Sequence, residues 1–163
     1  MSIDNAFLGQ LPKRLLFTMI KNKDFTCSLD NKPFYFSHFN LNHFTLFYNG
    51  RPIPSEGLPI DTSNEKTSVF AYNTLFEGSG LRHSNAGLQV THRKFIAGYL
   101  MLLFDLTPYR AASEGHISLP DQGNIRLEFR FDKPLFEAIT CLLYLEYDNC
   151  VCIDQLCTIS ADF

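Results

Sequence analysis

The sequence predicts an all-β protein, a jelly-roll β-sandwich with a short inserted helix, and three observations lead there. Residues 124–131 alternate without a break, Ile125, Leu127, Phe129 and Phe131 on one face against Arg126, Glu128 and Arg130 on the other, which is the period of a strand with one wet face. Sixteen Phe and seven Tyr, with no Trp, in a chain of 163 residues favour pleated, half-buried surfaces. Six or more β-prone runs are joined by long, irregular connections, which suits strands entering from two sheets better than a regular meander.

In chain order, the first strand is expected at 14–20, where Leu15, Leu16, Phe17, Met19 and Ile20 follow Pro12 and end in the polar turn Lys21-Asn22-Lys23-Asp24. After a second turn at Asp30-Asn31-Lys32-Pro33, the aromatic segment 34–39 fits either a strand or a packed loop. The clearest hairpin is 43–48, Asn49-Gly50, 51–53, because Asn-Gly readily supplies the two positive φ values of a type I′ turn. Pro52 makes the returning strand short or an edge, and Pro54, Gly57 and Pro59 are expected to open a long loop.

Val69, Phe70, Tyr72, Leu75 and Phe76 approach helical spacing, so a short helix is expected over 67–77, stopped by Gly78-Ser79-Gly80. Residues 81–91 read as loop, with a weak helical hint at 91–96. The run 99–105 reads as a strand covered on both faces and closed by Thr107-Pro108. After the Asp132-Lys133-Pro134 turn another strand is expected over 138–147, and 150–154 follows as a further β-prone run that 157–159 extends.

No repeat, charge block or low-complexity linker interrupts 1–163, so one domain is expected. A chain of this length buries roughly 70% of its unfolded surface, enough to fold without a metal or disulfide staple. The net charge is −3 and the pI about 5.9, with basic residues scattered outside Lys13-Arg14 and His92-Arg93-Lys94, so no direct nucleic-acid binding is expected. Residues 1–10 lack the basic and apolar regions of a signal peptide, and the longest apolar run, 99–104, is too short to span a bilayer. The expected protein is neither secreted nor membrane-bound. Five Cys, four of them (Cys141, Cys150, Cys152, Cys157) in the C-terminal part, fit reduced thiols better than a paired disulfide framework.

The search for chemistry returns little. Nucleophilic catalysis leaves no Gly-x-Ser-x-Gly elbow and no Cys in a catalytic context, so no catalytic residue is expected. Cys150-x-Cys152 with Cys157 and Cys141 has the wrong spacing for structural zinc, and buried thiols acting as small hydrophobes are the simpler expectation. The His residues 38, 43, 83, 92 and 116 include no His-x-His and no His-Glu-x-x-His, so no metal is expected. Gly78-Ser79-Gly80 is not a phosphate loop, since no Lys-Ser or Lys-Thr follows it. No cofactor and no small-molecule substrate are expected. The aromatics of 34–48 lack the basic groove that would make them stacking platforms for single-stranded nucleic acid, so they point to core or to burial against a neighbouring subunit.

Six strings in order and spacing carry a family resemblance. They are Phe7-Leu8-Gly9-Gln10-Leu11-Pro12-Lys13-Arg14, Lys32-Pro33-Phe34-Tyr35-Phe36-Ser37-His38-Phe39-Asn40, Leu46-Phe47-Tyr48-Asn49-Gly50-Arg51-Pro52-Ile53-Pro54-Ser55, Leu103-Phe104-Asp105-Leu106-Thr107-Pro108, Gln122-Gly123-Asn124-Ile125-Arg126-Leu127-Glu128 and Tyr147-Asp148-Asn149. Together they resemble the C-terminal jelly roll of the double jelly-roll major capsid proteins of Maverick/Polinton elements and adintovirus-like viruses. The resemblance implies capsomer and shell assembly without a reaction, with itself or related jelly-roll capsid subunits as partners, in a virion capsid or inside the host cell. The sequence departs from that pattern in having no counterpart of the first jelly roll. A roll built to pack beside a sister is expected to expose apolar surface when alone, with Phe34, Tyr35, Phe36, His38 and Phe39 as interface candidates. The alternatives are a domesticated stand-alone jelly roll that binds capsid subunits or another protein, and a carbohydrate-binding or cupin-like jelly roll, which ligand-dependent stabilisation or bound metal would reveal.

Overall fold

The first ten residues, in which the sequence announces no strand, form one. The computed structural model describes residues 1–26, 32–61, 65–115, 118–149, 151–155 and 157–161, at 65–67 and 161 by backbone alone. Its elements begin with β1 (Ser2–Gln10), β2 (Arg14–Lys21), the single turn α1 (Asn22–Phe25), β3 (Leu41–Tyr48), β4 (Arg51–Pro59) and α2 (Glu65–Gly78). A 3-10 turn at Leu81–His83 leads to α3 (His92–Gly98), β5 (Met101–Asp105), β6 (Gln122–Phe131), β7 (Ile139–Glu146), β8 (Val151–Ile153) and β9 (Ile159–Ala161). The paired strands are antiparallel and form a four-stranded sheet, β1-β6-β3-β4, a three-stranded sheet, β5-β2-β7, and a two-stranded ribbon, β8-β9.

The order of pairing is that of a roll. β1 pairs with β6 in one sheet while β2 pairs with β5 in the other, so the corner between the first two strands lies against the connection from β5 to β6. Two backbone hydrogen bonds zip the corners together: Leu11 N–H donates to the Asp121 carbonyl (2.7 Å) and Leu106 N–H to the Lys13 carbonyl (2.8 Å). A jelly roll of full size has eight strands in two sheets. Here the second sheet has three, and on the side of β5 and β4, the edge strands of the two sheets, α2 packs in place of further strands. The helix thereby covers backbone edges that would otherwise invite pairing with another chain.

Between the sheets lies an aromatic core. Phe17, Phe44 and Phe129 are fully buried, with ring centroids of Phe17 4.6 Å from Phe44 and 6.0 Å from Phe129. Leu15, Met19, Leu46, Leu102, Ile125 and Leu127 fill the space around them. Each such side chain stabilises the fold by about 1.5–3 kcal/mol, and an aromatic pair adds about 0.5–1.5 kcal/mol. Ala71 and Leu75 of α2 and Phe95 of α3 join the same cluster, so the insertion belongs to the core.

Several expectations hold. The alternating run is β6, and Asn49 (φ 49°) and Gly50 (φ 77°) take the positive angles of the type I′ hairpin between β3 and β4. On β5, Leu102 and Phe104 face the core while α2 packs on the strand, Gly78 lying against Leu103. Other expectations need correcting. The strand after the hairpin does not stop at Ile53: β4 continues through Pro54 and Gly57 to Pro59. It is an edge strand, where a proline's missing N–H costs no ladder bond, and a register shift opposite Phe44–Leu46 absorbs Gly57 at φ 72°. A Cβ at Gly57 would lie 2.5 Å from the His43 ring, so the bulge requires glycine for space as well as for φ. The expected inserted helix is α2, running a little past its expected bounds to 14 residues, and the hint at 91–96 is a second helix, α3, capped by Thr91, whose hydroxyl accepts from Lys94 N–H at 3.4 Å. β1 escapes period-based detection because a bulge between Ile3 and Phe7, with Asn5 at φ 51°, breaks its alternation. Finally, 159–161 does not extend the strand before it but folds back on β8 as the ribbon.

Candidate interaction surfaces

The polar side chains of the body are spent on holding its loops. Asp105, at the end of β5, accepts from Thr107 N–H (2.9 Å), the Thr107 hydroxyl (2.6 Å) and Ala112 N–H (3.0 Å). At the same end Lys13 bridges Asp148 (2.6 Å) and Glu146 (3.2 Å), and Arg14 holds Glu146 at 3.1 Å. The hydrogen bond to Asp148 raises the Lys13 pKa above its ordinary value against the opposing effect of burial. Burial pushes the Glu146 carboxyl up, but the hydrogen bonds from Arg14 and Lys13 outweigh it and hold the group below its ordinary value.

A Ser–His contact, Ser68 Oγ to His92 Nε2 at 2.9 Å, joins α2 to α3 across 24 residues and was invisible in sequence. Ser68 is completely buried and the imidazole packs on the Tyr72 ring, so the hydroxyl has no path to a substrate. The pair pins α3 to α2, as does the Tyr72 hydroxyl donating to the Val90 carbonyl (2.7 Å). Among the described residues no three His, Cys, Asp or Glu side chains gather as a metal set. Cys141 is half-buried, and desolvation raises its thiol pKa, which suits an inert small hydrophobe. Cys152 and Cys157 are exposed instead, contrary to the expectation of buried thiols, because the ribbon that carries them packs into neither sheet. Cys150 lies outside the described residues.

A cavity of about 280 Å³ opens between β4, α2 and β5, walled by Ile53, Leu58, Phe70 and Leu103. At its rim Glu77 already accepts from Asn73, Arg82 and Arg110, and Asp105 accepts three hydrogen bonds as described, so both carboxylates are engaged within the protein.

The five residues singled out in sequence separate into two groups. Phe34 stands 76% exposed, and Tyr35 lies beside it with its hydroxyl donating to the Ala97 carbonyl (2.8 Å). Phe36 is tied inward, its N–H donating to the Gly98 carbonyl (2.9 Å) and its carbonyl accepting from Leu100 N–H (3.0 Å). His38 is half-buried, its Nδ1 accepting from Asn40 N–H (2.9 Å), and burial lowers its pKa. Phe39, at φ 47°, packs against the core.

Tyr35 lies within electrostatic reach of Lys21, at an end of the sheet whose other exposed aromatics sequence reasoning missed. Lys21 ends β2 opposite Ile139, which opens β7, and Glu137 binds both Lys21 (2.8 Å) and Lys23 (3.3 Å). Asn22 N–H donates to the Ala138 carbonyl (3.0 Å), so the turn bearing Phe25 sits beside the turn bearing Phe136, which is 93% exposed. Tyr99, bridged to Phe36, is exposed too. The available signal was Pro134-Leu135-Phe136, two large apolar residues in a turn.

The opposite end of β7 carries a second apolar surface. Val151 and Ile153 on β8 and Ile159 on β9, opposite Ile153, share one face of the ribbon and are 60%, 68% and 69% exposed. No described helix is long and apolar enough to cross a membrane. Comparison with family models, with curated proteins and with solved structures returned no match.

Proposed function

We propose that this protein is a structural subunit whose work is assembly, a jelly roll of the kind found in the second half of Maverick/Polinton major capsid proteins, acting through protein contacts rather than through a reaction. The observation that carries this reading is the quantity of large apolar side chain on the outside: seventeen such residues are exposed among the described ones, and several gather at the two ends of β7. Scattered single hydrophobics are ordinary on a monomer, whereas grouped ones mark surfaces that another molecule covers. The inward use of the body's polar groups supports the same role, since a side chain committed to a loop is not poised for chemistry. The resemblance of the six sequence strings supplies the partner class, this chain itself or related jelly-roll subunits.

Sedimentation velocity over a range of protein concentrations, with and without a co-expressed related subunit, tests the proposal. Mass that rises with concentration, or a stable complex with the related subunit, is the expected result. A chain that stays monomeric in both settings overturns it.

A further inference from the structure

The two apolar surfaces differ in charge and lie at opposite ends of one strand. β7 runs from Ile139, opposite Lys21, to Glu146, opposite Arg14, eight residues in all. At about 3.4 Å per residue that separates the ends by roughly 24 Å, and Asp148, which leads into the ribbon, is held at the Arg14 end by Lys13. At that end Lys21 and Lys23 hold Glu137, Lys32 precedes Phe34 by two residues and Lys133 precedes Phe136 by three, against Asp24, Asp132 and Glu137. Asp24 is buried and Glu137 is shared by two lysines, so four cations stand against three carboxylates. The chain from Asp148 to Phe163 is the reverse: it contains no Lys, Arg or Glu and three Asp, of which Asp148 is taken by Lys13 and two lie further along the chain. Its ribbon has two three-residue strands, and an isolated two-stranded hairpin is marginal in water until something covers its apolar face.

We propose that the acidic, apolar β8–β9 ribbon of one molecule docks on the basic, aromatic Lys21 end of a second copy, linking molecules head to tail. The proposal rests on the assembly role argued above and names the contact. Val151, Ile153 and Ile159 meet Phe34 and Phe136, and the lysines around those rings face the aspartates of the ribbon. The two surfaces differ, so the contact is heterologous: a pair of molecules keeps one ribbon and one Lys21 end free, and association continues into chains or closes into rings.

The test uses two double variants of the whole chain. Ile153→Asp with Ile159→Asp spoils the ribbon and leaves the Lys21 end intact; Phe34→Asp with Phe136→Asp does the converse, and all four positions are exposed, so the body folds in both. In sedimentation velocity the unsubstituted chain is expected to gain mass with concentration and to lose it on adding salt. Each variant alone is expected to lose association, and an equimolar mixture to give a single species of twice the monomer mass, because one good end of each kind remains. A mixture that stays monomeric while the unsubstituted chain associates, or a variant that associates undiminished, overturns this contact and leaves the assembly role standing. An unsubstituted chain that stays monomeric overturns this contact, and if it also forms no complex with a related subunit, the assembly role falls with it.

Discussion

β6 and the β8–β9 ribbon are built from the same local pattern, apolar residues on one face of antiparallel strands, and they end in opposite environments. Ile125, Leu127 and Phe129 of β6 are completely buried between β1, β3 and the second sheet. Val151, Ile153 and Ile159 of the ribbon are each mostly exposed. Alternation makes a strand in either place; only a facing layer turns it into stability. The difference teaches that a sequence with one uniform β signal can hold both a core and an unpartnered surface, and that mutation should separate the two sharply.

The largest effect is expected in the core. Phe129→Ala should cost about 3–5 kcal/mol in urea unfolding, because it leaves a void beside Phe17 and Phe131; a loss under 1 kcal/mol would mean that the core is not packed as described. Next comes the bulge on β4. Gly57→Ala should cost about 1–3 kcal/mol, since it combines a left-handed φ with a Cβ pressed on His43, and an unchanged midpoint would argue against that bulge.

A smaller effect is expected where the body joins the ribbon. Glu146 has its pKa held below the ordinary value by Arg14 and Lys13, so its contribution is fully present above the ordinary carboxylate range and is lost as pH falls through the lowered value. Glu146→Gln should therefore be less stable than the unsubstituted chain near neutral pH by up to about 1 kcal/mol, with the two curves converging in acid. Parallel curves across the whole range would remove the ion pair from the account. The smallest effect belongs to the ribbon: Ile153→Ser should leave the unfolding midpoint of dilute protein within about 0.5 kcal/mol, as exposed positions generally do. A core-sized loss there would show that the ribbon packs on its own body and would erase the contrast with β6.

Legibility followed the same division. β6 could be read because its period is unbroken, and the β3–β4 hairpin because Asn49-Gly50 states its turn chemistry locally. β1 could not, since the bulge at Asn5 shifts its faces in mid-strand, nor could the second half of β4, whose prolines look like loop until the strand is known to be an edge. Of the proposed interface, Phe34 was visible as part of an aromatic run, whereas the meeting of the turns that bear Phe25 and Phe136 depends on β7 starting beside the end of β2.

The sequence alone determined the unbroken strands such as β2 and β6, the Asn-Gly hairpin, the helical insertion and the apolar total, because each is set by residues within a few positions of one another. Tertiary structure decided which alternating faces are core and which remain outside, and it set the excess of cations and the acidic ribbon at opposite ends of the molecule. Those outcomes rest on pairings between residues more than a hundred positions apart, such as Lys21 with Ile139, which no local pattern encodes.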